Sequence, residues 1–234
     1  MACVVVTGSS GLVGSAVVRR FSAAGYRVVG IDNDMRRVFF GDRYSTAWSW
    51  QSMQREISTF SHHDIDVRDS AKIERVFAEL NSEINVVVHA AAQPSHDWAA
   101  NDPMTDFSVN AGGTFNLLEM TRRYAPNATF IFTSTNKVYG DAPNHMPLRE
   151  LDMRWEVDAS HPFYEHGINE SLTIDQTNHS LFGASKLAAD VIVQEYGRYF
   201  GLNTVVFRAG CLTGPGQTGA PSHGFLSHLV DCVM

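Results

Sequence analysis

Cysteine is scarce: Cys3, Cys211 and Cys232 are an odd and widely spaced set in 234 residues. That pattern offers no disulfide framework and no metal-ligand spacing, so no metal site is expected from the cysteines. Positive charge is also short, with 18 Lys and Arg against 25 Asp and Glu and a formal net charge of -7. No basic stripe is available to neutralise phosphates, which argues against a nucleic-acid partner. No run reaches the roughly 18 apolar residues of a membrane-spanning helix, so no membrane partner is expected. Met1-Ala2-Cys3-Val4 lacks a basic region and runs straight into an apolar stretch, unlike a signal or transit peptide. A reducing, cytoplasmic location is the expectation. Internal repeats and low-complexity tracts are missing as well.

What remains is an ordinary globular composition, 44% hydrophobic and 18% charged, with enough apolar surface for a core. Short β-branched runs come at Cys3 to Thr7, Arg27 to Ile31, Asn85 to His89, Thr129 to Thr133 and Asn203 to Phe207. Helical spacing fills Val13 to Ala24, Ala71 to Leu80, Pro103 to Tyr124 and Leu181 to Phe200. Strands apolar on both faces, alternating with helices, predict an α/β fold with a covered parallel sheet. Three stretches break the rhythm. Residues 33–57 and 141–180 are long and polar and read as functional loops or lids. The tail from Ala209 passes through Gly214-Pro215-Gly216 and stops inside an apolar run at Asp231-Cys232-Val233-Met234, as a fragment would.

The strongest local signal is Thr7-Gly8-Ser9-Ser10-Gly11-Leu12-Val13-Gly14, between the first strand and the first helix. Gly8 permits the tight turn, Gly11 lets backbone approach a pyrophosphate, and Gly14 lets the helix pack on the sheet. Free N–H groups at the helix N-terminus then face the phosphates. About 20 residues on, the second strand ends at Gly30-Ile31-Asp32, where an acid receives the ribose hydroxyls and repels a 2′-phosphate. NAD is therefore favoured over NADP as cofactor. Arg36 and Arg37 read as solvated loop charges, with a 2′-phosphate contact as the alternative. His62-His63 with Asp64 and Asp66 suggests a metal at first sight. Adjacent strand residues point to opposite faces, so the two histidines make poor joint ligands.

These segments, with Asp66-Val67-Arg68-Asp69, Val88-His89-Ala90-Ala91-Ala92, Asn110-Ala111-Gly112-Gly113-Thr114, Thr133-Ser134-Thr135-Asn136-Lys137-Val138-Tyr139-Gly140, Ser185-Lys186 and Arg208 through Gly214-Pro215, resemble the NAD-dependent epimerase/dehydratase family in order. That family is the extended branch of the short-chain dehydrogenases. The resemblance implies a Rossmann-type doubly wound parallel sheet at 1–208 and the start of a small substrate-binding region at 209–234. It gives Leu12 and Val13 backbone to the pyrophosphate, Asp66 and Val67 to the adenine, and Ala90, Ala91 and Ala92 to the cofactor wall. Asn110 becomes a structural and proton-relay residue, Thr135 the catalytic hydroxyl, and Lys186 the lysine on the nicotinamide ribose. Ser10, Asn33, Thr133 and Gly210 complete the implied cofactor contacts.

Within the family, Thr135 to Asp141 and Phe200 to Arg208 are most similar to the CDP-paratose (CDP-tyvelose) 2-epimerase group. Asn136-Lys137 stands where dehydratases carry Asp-Glu, which argues against elimination. The implied activity is epimerisation of a CDP- or UDP-linked sugar through a transient keto-sugar, by a homodimer. One departure matters. The family's Tyr-x-x-x-Lys reads Phe182-Gly183-Ala184-Ser185-Lys186 here, and a phenyl ring cannot exchange a proton. Lys137, His179, Tyr164 and Cys211 are candidate substitutes, Lys137 foremost. Ser95-His96-Asp97 cannot form a triad from consecutive residues and is assigned to the rim of the sugar pocket. A non-catalytic NAD or nucleotide-sugar binder and a net sugar oxidoreductase stand as alternatives.

Overall fold

The computed structural model describes residues 1–220 and 223–233. Six parallel strands form the central sheet: β1 (Cys3–Thr7), β2 (Arg27–Ile31), β3 (Phe60–His63), β4 (Ile84–His89), β5 (Thr129–Thr135) and β8 (Asn203–Ala209). Two short antiparallel strands, β6 (Leu148–Glu150) and β7 (Trp155–Val157), form a separate hairpin. The helices are α1 (Leu12–Ala23), α2 (Met35–Phe40), α3 (Ala47–Glu56), α4 (Ser70–Leu80), α5 (His96–Asn101), α6 (Pro103–Phe107), α7 (Gly113–Tyr124), α8 (Ser180–Phe200) and α9 (Phe225–Val233). A π turn over Ser108–Gly112 joins α6 to α7.

The sheet order is β3-β2-β1-β4-β5-β8. The chain moves outward from β1 to β3, then returns to the other side of β1 and runs outward again. This is the doubly wound order of a Rossmann fold, as the family resemblance implies, and its parallel sheet is the one the strand–helix alternation predicts. Alternation along β1 decides the two cores. Val4 and Val6 pack with Val18 of α1 and Met53 of α3 on one face. Val5 and its neighbours pack with Phe77 of α4, Leu117 and Leu118 of α7 and Val193 of α8 on the other. Because β1 lies between β2 and β4, the crevice above its carboxyl end is the topological switch point where such sheets bind ligands.

The expectation for residues 33–57 is corrected. That stretch holds α2 and α3, and it is the crossover that joins β2 to its parallel neighbour β3. Its polarity is misleading because α3 buries only a narrow stripe around Ser49 and the fully enclosed Met53, while Trp50 stacks on His62 at 4.4 Å. The carboxylate of Asp34 holds the turn between the two helices, accepting from the Thr46 amide at 2.9 Å and the Ser45 hydroxyl at 2.5 Å. Residues 141–180 are closer to expectation: an excursion carrying only a short 3-10 turn and the hairpin. Asp141 clasps its two ends together, accepting from the Thr177 hydroxyl at 2.7 Å and the Asn178 amide at 3.0 Å.

Candidate active site

A cavity of about 590 Å³ lies above the carboxyl ends of β1, β2, β4 and β5. The turn that opens it has little room for any residue but glycine. Gly8 sits at φ +66°, and a Cβ there would lie 2.7 Å from the Ala91 amide nitrogen. At Gly14 a Cβ would come within 2.0 Å of the Gly8 carbonyl oxygen, so α1 is drawn directly onto the turn. The N-cap of α1 is Gly11, which offers no side chain to the first-turn amides. Those amides and the positive end of the helix therefore face the cavity, an arrangement suited to phosphate.

Asp32 closes the β2 side. Its carboxylate accepts from the Ser10 amide at 2.9 Å and the Asp34 amide at 2.8 Å. Burial raises its pKa, and those two amides offset part of the rise. A fixed, half-buried carboxylate at a strand end is matched to sugar hydroxyl donors. Asp66 also borders the cavity, held by Arg68 at 2.7 Å, with Val67 beside it. Ala90, Ala91 and Ala92 form the wall after β4, where small side chains leave space. The glycines, Leu12, Val13, Asn33, Thr133 and Gly210 line the same space.

On the β5 side the cavity meets Thr135, Lys137, Phe182 and Lys186. Lys186 is buried. Its Nζ donates to the Thr133 carbonyl at 2.9 Å and lies 4.2 Å from the centre of the Phe132 ring. Burial pushes its pKa down to about 7, against the opposing pull of Asp190 and Asp106. Thr135 accepts from the Lys137 amide at 3.2 Å, which fixes the hydroxyl at the strand end.

Two expected residues stand outside the lining. Ser10 is buried and reaches Asp32 through its amide alone. Asn110, on the π turn, lies behind the wall and ties the Gln93 backbone, Asp106 and Ser185 of α8 together. Among the proposed substitutes for the phenol, Lys137 and Cys211 border the cavity, whereas His179 and Tyr164 do not. The imidazole of His179 instead bonds the Ile174 carbonyl at 2.8 Å, and Tyr164 accepts from Arg149 at 3.0 Å.

His96 borders the cavity, in keeping with the rim position expected of Ser95-His96-Asp97, and its ring lies against Phe182. The meeting of Arg36 with the tail at the same cavity was not foreseen. Arg36 is not a solvated charge: it donates to the Thr218 carbonyl, bonds His223 at 3.2 Å and lies over the Phe40 ring. Burial and the Arg36 charge push His223 down to about 4. Arg37 does remain exposed, 3.8 Å from Asp42. The position of His96 directly after the β4 wall, beside the switch point, was the available signal; contacts to residues nearly 190 positions away had none.

The model of the NAD dependent epimerase/dehydratase family matches residues 4–234. The chain belongs to that family. CDP-paratose 2-epimerase from Salmonella typhi is 32% identical over 222 residues, covering 94% of this chain and 60% of the relative. dTDP-glucose 4,6-dehydratase from Salmonella typhimurium is 28% identical, covering 91% and 55%. The NAD complex of UDP-glucose 4-epimerase from Thermus thermophilus superposes with a TM-score of 0.70 at 27% identity, covering 97% of this chain and 60% of that one. Pal from Bacillus thuringiensis shares the fold with a TM-score of 0.76 at 24% identity, covering 98% and 62%. The chain thus spans about 60% of the length of these relatives. The family is NAD-dependent, so NAD is the cofactor that the glycine turn and Asp32 implied.

Proposed function

We propose that this epimerase/dehydratase family member is the nucleotide-binding part of a nucleotide-sugar epimerase, similar in action to CDP-paratose 2-epimerase, working on a CDP- or UDP-linked sugar. The observation that carries the reading is one cavity holding a dinucleotide turn, a strand-end carboxylate, a buried lysine and a threonine hydroxyl. Bound NAD would supply a reversible hydride acceptor. The chain supplies the rest. Amides at the start of α1 receive the pyrophosphate, Asp32 the adenosine ribose hydroxyls, and Asp66 and Val67 the adenine side. Lys186 donates to the nicotinamide ribose and Thr135 to the oxygen of the sugar carbon being oxidised. With that carbon held flat as a ketone, rotation of the sugar lets hydride return to the opposite face. The 209–234 segment begins the part that selects the sugar, and the protein works as a homodimer in the cytoplasm.

A second reading rests on Phe182. Without the phenol, the site would hold NAD and a nucleotide sugar and do no chemistry. Incubation of the protein with NAD⁺ and a panel of CDP- and UDP-sugars separates the two. An epimeric sugar seen by NMR, without net NADH, is the expected result. Binding without turnover of any sugar favours the second reading, and net NADH would mean an oxidoreductase.

A further inference from the structure

Loss of the phenol leaves a proton without a carrier, and the packing around Phe182 points to one. The imidazole of His96 lies against the Phe182 ring, with centroids 4.8 Å apart and planes inclined at 57°. His96 is the first residue of α5, and Ser95 caps that helix by accepting from the Trp98 amide. From the α8 side, the Ser180 hydroxyl oxygen lies 3.0 Å from His96 Nδ1 and also accepts from the Gly183 amide at 3.2 Å. Ser180 is held at φ 59°, a left-handed conformation that a serine keeps only when its surroundings impose it. With one lone pair taken by the Gly183 N–H, the Ser180 hydroxyl accepts from Nδ1–H in one imidazole tautomer and donates to Nδ1 in the other. The proton-accepting role belongs to the Nδ1–H tautomer, which leaves a lone pair on Nε2, an atom with no hydrogen-bond partner among the described residues. His96 shares the cavity with Thr135 and Lys186.

We propose that His96 is the catalytic acid–base that replaces the missing phenol, with Nε2 taking the proton of the sugar hydroxyl under oxidation and returning it on reduction. This rests on the epimerase reading above. In the forward step the sugar O–H bond breaks as Nε2–H forms. The C–H bond breaks together with it, its hydride leaving with both electrons for the oxidised nicotinamide, and C=O forms. Reversal of both transfers restores imidazole and cofactor. Lys137 is the weaker candidate: it lines the same cavity, but it is the His96 ring that lies against Phe182.

Electrostatics agree with this role. Burial lowers the His96 pKa, and the Lys137 charge lowers it further, while Asp97 and Asp106 pull the other way. His223, close enough to feel the His96 charge, completes the titratable surroundings, with Lys186 in the same cavity. The downward shift favours the neutral imidazole, the form that can accept a proton, and Phe182 becomes the platform that supports it.

The test uses the protein at its full natural length, as wild type, H96Q, F182Y and the double variant, on the sugar panel with NAD⁺. Expected are a kcat for H96Q lower by roughly 10²–10⁴-fold with little change in KM, and recovery on adding F182Y. The acid limb of the kcat/KM pH profile disappears in H96Q. Independently of turnover, nitrogen NMR of the NAD⁺-loaded protein should show the His96 Nε2 resonance moving when CDP-glucose or UDP-glucose is added. An active wild type with H96Q equally active overturns the proposal, as does an Nε2 resonance that neither sugar moves. No turnover by any variant, with Nε2 still shifting, sinks the epimerase reading while keeping His96 at the sugar.

Discussion

Lys186 shows what burial does to a single residue in this site. Its pKa falls to about 7 because α8 presses the amine between the Thr133 carbonyl and the Phe132 ring, away from water. A lysine in the unfolded chain titrates near 10.4. Between these values the unfolded state binds more protons than the folded one, so stability rises with pH. Above the unfolded pKa the penalty of a buried ammonium is gone, and below about pH 7 it is fully present. The cofactor-free protein is therefore expected to gain melting temperature from pH 7 to pH 9, and K186M is expected to flatten that slope in calorimetric scans. At this scale Lys186 and Thr135 were legible because a motif of fixed spacing names them. The place of His96 at the cavity was legible too, but its contacts with Ser180 and Phe182 were not, because only the packing of α8 on α5 brings them near.

Among the elements, α8 carries most of the site's rigidity. Asp190, fully buried, receives Arg208 of β8 at 2.9 Å, the Ser134 hydroxyl at 2.6 Å and Gln194 at 2.7 Å. Arg208 also donates to the Tyr139 hydroxyl at 2.9 Å. Helix, two strands and the turn after β5 are thus joined through one carboxylate, which positions Thr135 and Lys186 together. Removing one partner of a buried ion pair strands the other, typically at about 3–5 kcal/mol. Chemical denaturation of D190A should show a loss of that size, and a loss below about 1 kcal/mol would contradict the role. The β1, β2, β4, β5 and β8 segments and the helices facing them were readable from apolar runs. Residues 33–57 were misread because α3 is anchored by a single stripe, too narrow to stand out from a polar background.

At the level of the whole molecule, α6 to α8 carry one set of the exposed apolar side chains. Met104, Phe107, Phe115, Leu181, Val191 and Phe200 all remain open to solvent. A second copy pairing through these helices would cover them, in line with the homodimer proposed above. Light scattering is expected to give twice the monomer mass for the full-length protein, and V191E combined with F115D to give the monomer. The parallel sheet was legible because buried apolar strands alternating with helices admit few other arrangements. The closure of the cavity by the tail, through Arg36, Thr218 and His223, was hidden, since it joins segments about as far apart as the chain allows.

Everything proposed for the cavity depends on the glycine turn and Asp32 holding NAD. Calorimetric titration with NAD⁺ and NADP⁺, run on wild type and D32A, tests that most directly. Saturable binding of NAD⁺ in preference to NADP⁺, weakened roughly 10- to 100-fold in D32A by loss of charge-assisted hydrogen bonds, is the predicted result. A folded wild type that binds neither cofactor, or binds NAD⁺ equally well without Asp32, would contradict the account.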